Sequence, residues 1–189
     1  MTQARSFEDD RLWSEGFAEP QEIFEILLTN IPNALEVTKA TDKQDRCGTD
    51  CWVTRKGLRP LSIDLKVRIC DPIETYGQDD LALETWSVLE QQKIGWTRNP
   101  DKETDYILWY FGGSHRWVLI PFPLLCKIFT EKWLEWTTQF KTRRQETSSD
   151  NYSWHSECVF VPRKEVWDAI YQRFGGQVTT KAPLAVFMP

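Results

Sequence analysis

Apolar residues repeat with two different periods along this chain, and the switch between them marks out its elements. In PQEIFEILLTNI (20–31), Phe24, Leu27, Leu28 and Ile31 fall at the three- and four-residue spacing of one helical stripe. Pro20 suits the first turn of that helix, and Pro32 ends it. Residues 33–46 are polar around one short strand, LEVTKA. The period then drops to two. TDCWVTR is a short alternating run, GLRP a turn with Gly57 and Pro60, and LSIDLKVRIC the best-alternating strand of the chain. Leu61, Ile63, Leu65, Val67 and Ile69 share one face of it, and Ser62, Asp64, Lys66 and Arg68 the other.

LALETWSVL is a further strand, followed by a polar loop, QQKIGWTRNPDKET. DYILWYF and RWVLIPF form a hairpin across Gly112 and Gly113. PLLCKIFTEKWLEWTTQFKTRR has helical composition with a basic end, QETSSDNYS reads as a loop, and SECVFVP as a last strand. RKEVWDAIYQRFGG is an amphipathic helix stopped by Gly175 and Gly176. The order predicts an α+β fold with a central mixed β-sheet flanked by helices. It is expected as one domain over 1–189, with a core at about 19–125, a helix–strand–helix extension at about 126–176 and a loose tail at 177–189.

Composition narrows the class. In 189 residues, 41% hydrophobic and 13% aromatic, there is material for a packed core, which excludes a disordered chain. No apolar run is long enough to span a bilayer, and MTQARSFEDDRLWSEG lacks the apolar region of a secretion signal. The expectation is a soluble, cytoplasmic protein. Five cysteines at irregular spacing then read as free thiols. A zinc site on Cys47 and Cys51 would lack a second cysteine pair, with only His115 and His155 to help. Neither histidine lies near a nucleophile elbow.

The net charge of −5 argues against a protein that coats duplex DNA by charge alone. The bases are unevenly placed, however. Arg55, Lys56, Arg59, Lys66 and Arg68 face one acid, Asp64, between Cys51 and Arg68. Lys127, Lys132, Lys141, Arg143 and Arg144 face Glu131 and Glu135 between Lys127 and Gln145. Such a split is either a solvated mosaic or a cationic path beside an acidic pocket that needs a metal ion.

The chemistry concentrates on three residues. Asp50 and Asp64 lie in or beside strands joined by a tight turn, and neighbouring strands run about 4.8 Å apart. Carboxylates at matched positions can share one divalent ion, because Mg²⁺ takes oxygen ligands and keeps several waters. Lys66 follows on the face of Asp64, about 7 Å along the strand, where an amine can orient or deprotonate water or stabilise charge on a phosphate. That is equipment for phosphodiester hydrolysis.

At these residues the chain resembles the PD-(D/E)XK nuclease superfamily, the restriction-endonuclease-like fold. The match runs through Gly48-Thr49-Asp50 and Ile63-Asp64-Leu65-Lys66, with Asp64-Leu65-Lys66-Val67-Arg68 similar to resolvase-like members, and covers roughly residues 19–111. An acid–X–lysine triplet occurs once in the chain, at Asp64. The resemblance implies an α/β/α sandwich and a metal-dependent DNA endonuclease using Mg²⁺ or Mn²⁺. In it Asp50, Asp64 and a helical glutamate, Glu22 or else Glu25, hold the metal, and Lys66 activates water. Glu84 is a further supporting acid or a solvent-facing strand residue, and Asp45 a weaker one. Arg55, Lys56, Arg68, Lys141, Arg143 and Arg144 would meet DNA phosphates. Trp96 and Trp154 are either packed or free to stack on an unpaired base. A homodimer follows by analogy with small nucleases that cut both strands. The competing readings are a nuclease-fold module that binds DNA or protein without cutting, and an unrelated enzyme for a small phosphorylated substrate. The latter lacks a Gly-rich phosphate loop.

Overall fold

A computed structural model describes residues 5–6, 20–45, 47–68, 70–149 and 152–175. The expected tail, 177–189, lies outside them. In chain order the strands are β1 Arg5–Ser6, β2 Ala34–Lys39, β3 Cys51–Arg55, β4 Leu58–Arg68, β5 Asp80–Val88, β6 Lys93–Ile94, β7 Tyr106–Phe111, β8 Arg116–Pro121, β9 Thr142–Ser149 and β10 Tyr152–Pro162. The long helices are α1 Pro20–Asn30, α2 Phe122–Gln139 and α3 Arg163–Phe174. The α+β content is as expected. The strands, though, are shared between two five-stranded sheets, ordered β2-β3-β4-β7-β8 and β1-β9-β10-β5-β6, where the pattern suggested one. Strand periodicity carries no information on which strands pair, so it cannot separate two sheets from one.

The chain divides accordingly into two compact units. The described residues of one are 20–45, 47–68, 70–71 and 101–124, and those of the other 5–6, 72–100, 125–149 and 152–175. In the first, α1 ends where Pro32 forbids another turn, and Asn33 reverses the chain at φ 61°. Its buried column is Ile23, Leu27 and Ile31, while Leu28 is 38% exposed. The helix is thus rotated from the stripe that the sequence suggests, since Ile23 and Phe24 both offer an apolar start. The column packs on Cys51, Val53, Leu61, Ile63, Leu108 and Tyr110 of the sheet. Each such aliphatic side chain contributes about 1.5–3 kcal/mol by leaving water.

β3 and β4 form a hairpin in the register Cys51↔Ile63 and Val53↔Leu61, turned by Gly57 at φ 69°. β4 then pairs in parallel with β7, placing Asp64 beside Ile107 and Lys66 beside Trp109. Asp105 pins the start of β7: it accepts two bonds from Arg59, at 2.8 and 2.5 Å, and one from the Ser62 N–H at 2.9 Å. Flanked by strands on both sides, β4 is central, and Leu61, Ser62, Ile63 and Asp64 are all buried. The charged face that alternation would leave to solvent is therefore inside at Asp64.

In the second unit, Leu81, Leu83, Val159 and Val161 of the strands and Val166, Ala169 and Ile170 of α3 are buried. The segment TRRQETSS, read as a basic helix end and loop, is β9, paired with β10 throughout. Its polar residues gave no alternation to detect. The Arg98 guanidinium lies over the rings of Trp86 and Trp133, 4.5 and 3.9 Å from their centroids, and donates to Thr85 O at 2.7 Å. No helix among the described residues is long and apolar enough to cross a membrane.

Candidate active site

β4 outruns β3 at one end, so beyond Ile63 its backbone needs another partner on that side. Asp50, the residue before β3, supplies it: Oδ2 accepts the Leu65 N–H at 2.5 Å, and the Asp50 N–H donates to Ile63 O at 2.9 Å. This capping fixes the Asp50 carboxylate against that of Asp64. Burial, and next the charge of Asp64, raise the Asp50 carboxyl from 3.8 to about 7.

Asp64 is 2% exposed. Lys66 Nζ donates to its Oδ1 at 2.6 Å, and Lys102 Nζ lies 2.7 Å from its Oδ2. Burial alone would push this carboxyl up, but the two lysines reverse that and hold it below its ordinary value. Of these two adjacent acids, Asp64 is thus held toward its charged form and Asp50 toward its protonated form.

Lys102 was invisible in the sequence, where it is one residue of a polar loop. Three bonds join that loop to the one before Asp50. Glu103 N donates to Cys47 O at 3.3 Å, Thr49 Oγ1 donates to Glu103 O at 2.9 Å, and Thr104 Oγ1 donates to Gly48 O. Gly48 has φ 92°, and a Cβ there would collide with Nζ, Cε and Cγ of Lys102. Glycine at 48 therefore serves both the turn and the passage of the lysine.

Glu22 and Glu25 are placed differently. The Tyr110 hydroxyl donates to Glu22 Oε2 at 2.5 Å, and His115 Nδ1 is 3.0 Å from Oε1. The Tyr110 bond, ahead of His115, holds the Glu22 carboxyl below its ordinary value. Tyr110 packs with the α1 core, on the face of the sheet opposite Asp64 and Lys66. His115 takes a φ of 56° in the β7–β8 turn. Glu25 is exposed and accepts from Gln21 at 3.4 Å. Among the described residues, no group of three or more His, Cys, Asp or Glu side chains is placed to hold one ion, so the acidic pair stands without a helical glutamate. Cys51 sits in the α1 core, its thiol pushed up to about 12 chiefly by burial, whereas Cys47 is exposed.

Glu84 belongs to the other unit, where its Oε2 accepts the Trp96 N–H at 2.8 Å and its N–H donates to Thr97 Oγ1 at 2.9 Å, fastening the 96–98 turn. Asp45 is exposed. Of the basic candidates, Arg55, Lys56 and Arg68 share the unit of the acidic pair, and Arg55 donates to Arg59 O. Lys141, Arg143 and Arg144 are exposed in the other unit, with Arg144 bound to Glu157 at 3.0 Å. Trp96 is half-buried, and Trp154 stacks on Tyr152 with centroids 5.7 Å apart.

No family model, no curated protein and no solved structure matches this chain.

Proposed function

We propose that the chain is a metal-dependent deoxyribonuclease of the PD-(D/E)XK type, with Asp50, Asp64 and Lys66 as its centre. The observation that carries this reading is the part-buried Asp50 carboxyl beside the buried Asp64, with Lys66 bonded to Asp64 at 2.6 Å. The order of parts supports it: a helix, an acid at the start of one strand, a tight turn, and the acid–X–lysine triplet on the next.

The donor set suits a hard divalent cation. Two adjacent carboxylates withdrawn from water repel each other, and Mg²⁺ or Mn²⁺ needs only one or two carboxylates when waters and phosphate oxygens complete the shell. Asp50 and Asp64 would hold it. Such a cation supplies Lewis-acid polarisation of the phosphoryl group and charge for the leaving oxygen. Lys66, fixed by Asp64, would orient the attacking water and stabilise charge on the phosphate. Arg55, Lys56 and Arg68 would take backbone phosphates without reading sequence. Cutting both strands would require a second copy, and a cytoplasmic setting suits the free thiols of all five cysteines.

The test is cleavage of plasmid, linear, branched and single-stranded DNA with Mg²⁺ or Mn²⁺, comparing wild type with Lys66→Ala. Metal-dependent cutting that the substitution abolishes is the expected result. No cutting of any substrate, with DNA or a protein partner still bound, would replace this reading by that of an inactive binding module.

A further inference from the structure

Each oxygen of Asp64 already has an ammonium group beside it, Lys66 at Oδ1 and Lys102 at Oδ2. The carboxylate is 3% exposed and the Lys102 side chain 9%. A cation arriving at Asp64 therefore competes at close range with both ammonium groups for the carboxylate. They are not equally movable. Lys66 springs from the strand that bears Asp64, and its backbone is locked in register with Trp109. Lys102 reaches in from a loop, its chain lying over Gly48. The bonds that hold its loop, Thr49 to Glu103 and Thr104 to Gly48, do not involve its ammonium group.

We infer that Lys102 is a built-in counter-cation, which occupies Oδ2 of Asp64 in the metal-free protein and gives way to a divalent ion. This inference rests on the metal-dependent reading above. The exchange has a plain electrostatic reason. An ammonium at Oδ2 meets the charge of Asp64 alone, whereas a divalent ion set between Asp50 and Asp64 draws on both carboxylates, Asp50 giving up its proton to solvent as the ion binds. Lys102 would thus keep Asp64 ionised and in place until the ion arrives, and its release would put its amine beside the bound metal. It is a positioning residue, acting through Asp64.

Two measurements on the full chain, without nucleic acid, test this. Calorimetric titration with Mn²⁺ compares wild type, Lys102→Met and Asp64→Asn; methionine keeps the length of the side chain without its charge. Lys102→Met should bind Mn²⁺ about tenfold or more tightly, since a competing unit charge at this range is worth at least one decade. Asp64→Asn should not bind. The second measurement needs no variant: acylation of lysines in wild type, read by mass spectrometry, should rise severalfold at Lys102 as Mn²⁺ saturates the protein. Lys102 labelling that stays unchanged at saturation would overturn the exchange, as would Lys102→Met binding no tighter than a wild type that does bind. Absence of Mn²⁺ binding in both proteins would overturn the metal-dependent reading and the exchange together.

Discussion

Asp64 and Asp71 belong to the same unit and are equally buried, each 2% exposed, yet they are held in opposite ways. Asp71 is clamped. Arg116 grips it with Nε at 2.6 Å and Nη2 at 2.8 Å, Ser114 donates at 2.7 Å, and the guanidinium itself rests on the Phe111 ring at 4.4 Å. A planar fork on a carboxylate leaves one geometry available. Asp64 has instead two lysines, point charges on flexible stems, and a second carboxylate beside it. The first arrangement is how a fold closes over a charge, and the second is how it keeps one ready for exchange.

The sharpest way to break this contrast is to remove the clamp. Arg116→Met should cost about 3–5 kcal/mol, the penalty of leaving a buried charge without its partner, as read by urea denaturation. Lys66→Ala should cost less stability, because Lys102 still faces Asp64, while DNA cleavage falls by about 10²–10⁴-fold, the usual worth of a positioned acid–base group. If the two substitutions proved equally destabilising, Asp64 would be a structural ion pair like Asp71.

Titration sharpens the contrast further. The folded protein binds the Asp50 proton more tightly than the unfolded chain does, so stability should fall as pH rises from 3.8 through about 7. Asp64 works in the opposite sense: its contribution is present above the ordinary carboxyl range and is lost as pH falls below it. Asp50→Asn should remove the downward slope between those limits, measurable by denaturation across pH; an unchanged slope would mean that Asp50 ionises normally. The smallest effect belongs to Glu22, whose side chain is 31% exposed beside His115. Glu22→Gln should shift stability by no more than about 1 kcal/mol and leave Mn²⁺ binding as it was. Loss of that binding would return Glu22 to the metal site.

The pattern along the chain was enough to locate α1, the hairpin of β3 and β4, the β7–β8 hairpin and α3, because each rests on local periodicity and on turn residues that act within a few positions. It also brought out Asp50, Asp64 and Lys66, since alternation puts Asp64 and Lys66 on one face and the turn at Gly57 makes β3 and β4 neighbours. Three things lay beyond it. β9 is polar throughout and becomes a strand by pairing with β10 and, at its far end, with β1, so it had no signature of its own. The helix face that buries Ile23 rather than Phe24 was chosen by the sheet it meets.

Lys102 is the third. Its position beside Asp64 depends on parallel pairing of β4 with β7, on Asp105 pinning the start of β7, and on the bare Cα of Gly48. None of these contacts is local in the chain. The candidate residues Asp50, Asp64 and Lys66 were thus written in the sequence, by period and by spacing. Which charges meet in the interior, and how strongly each holds its proton, was decided only by folding, because burial and close approach set those energies.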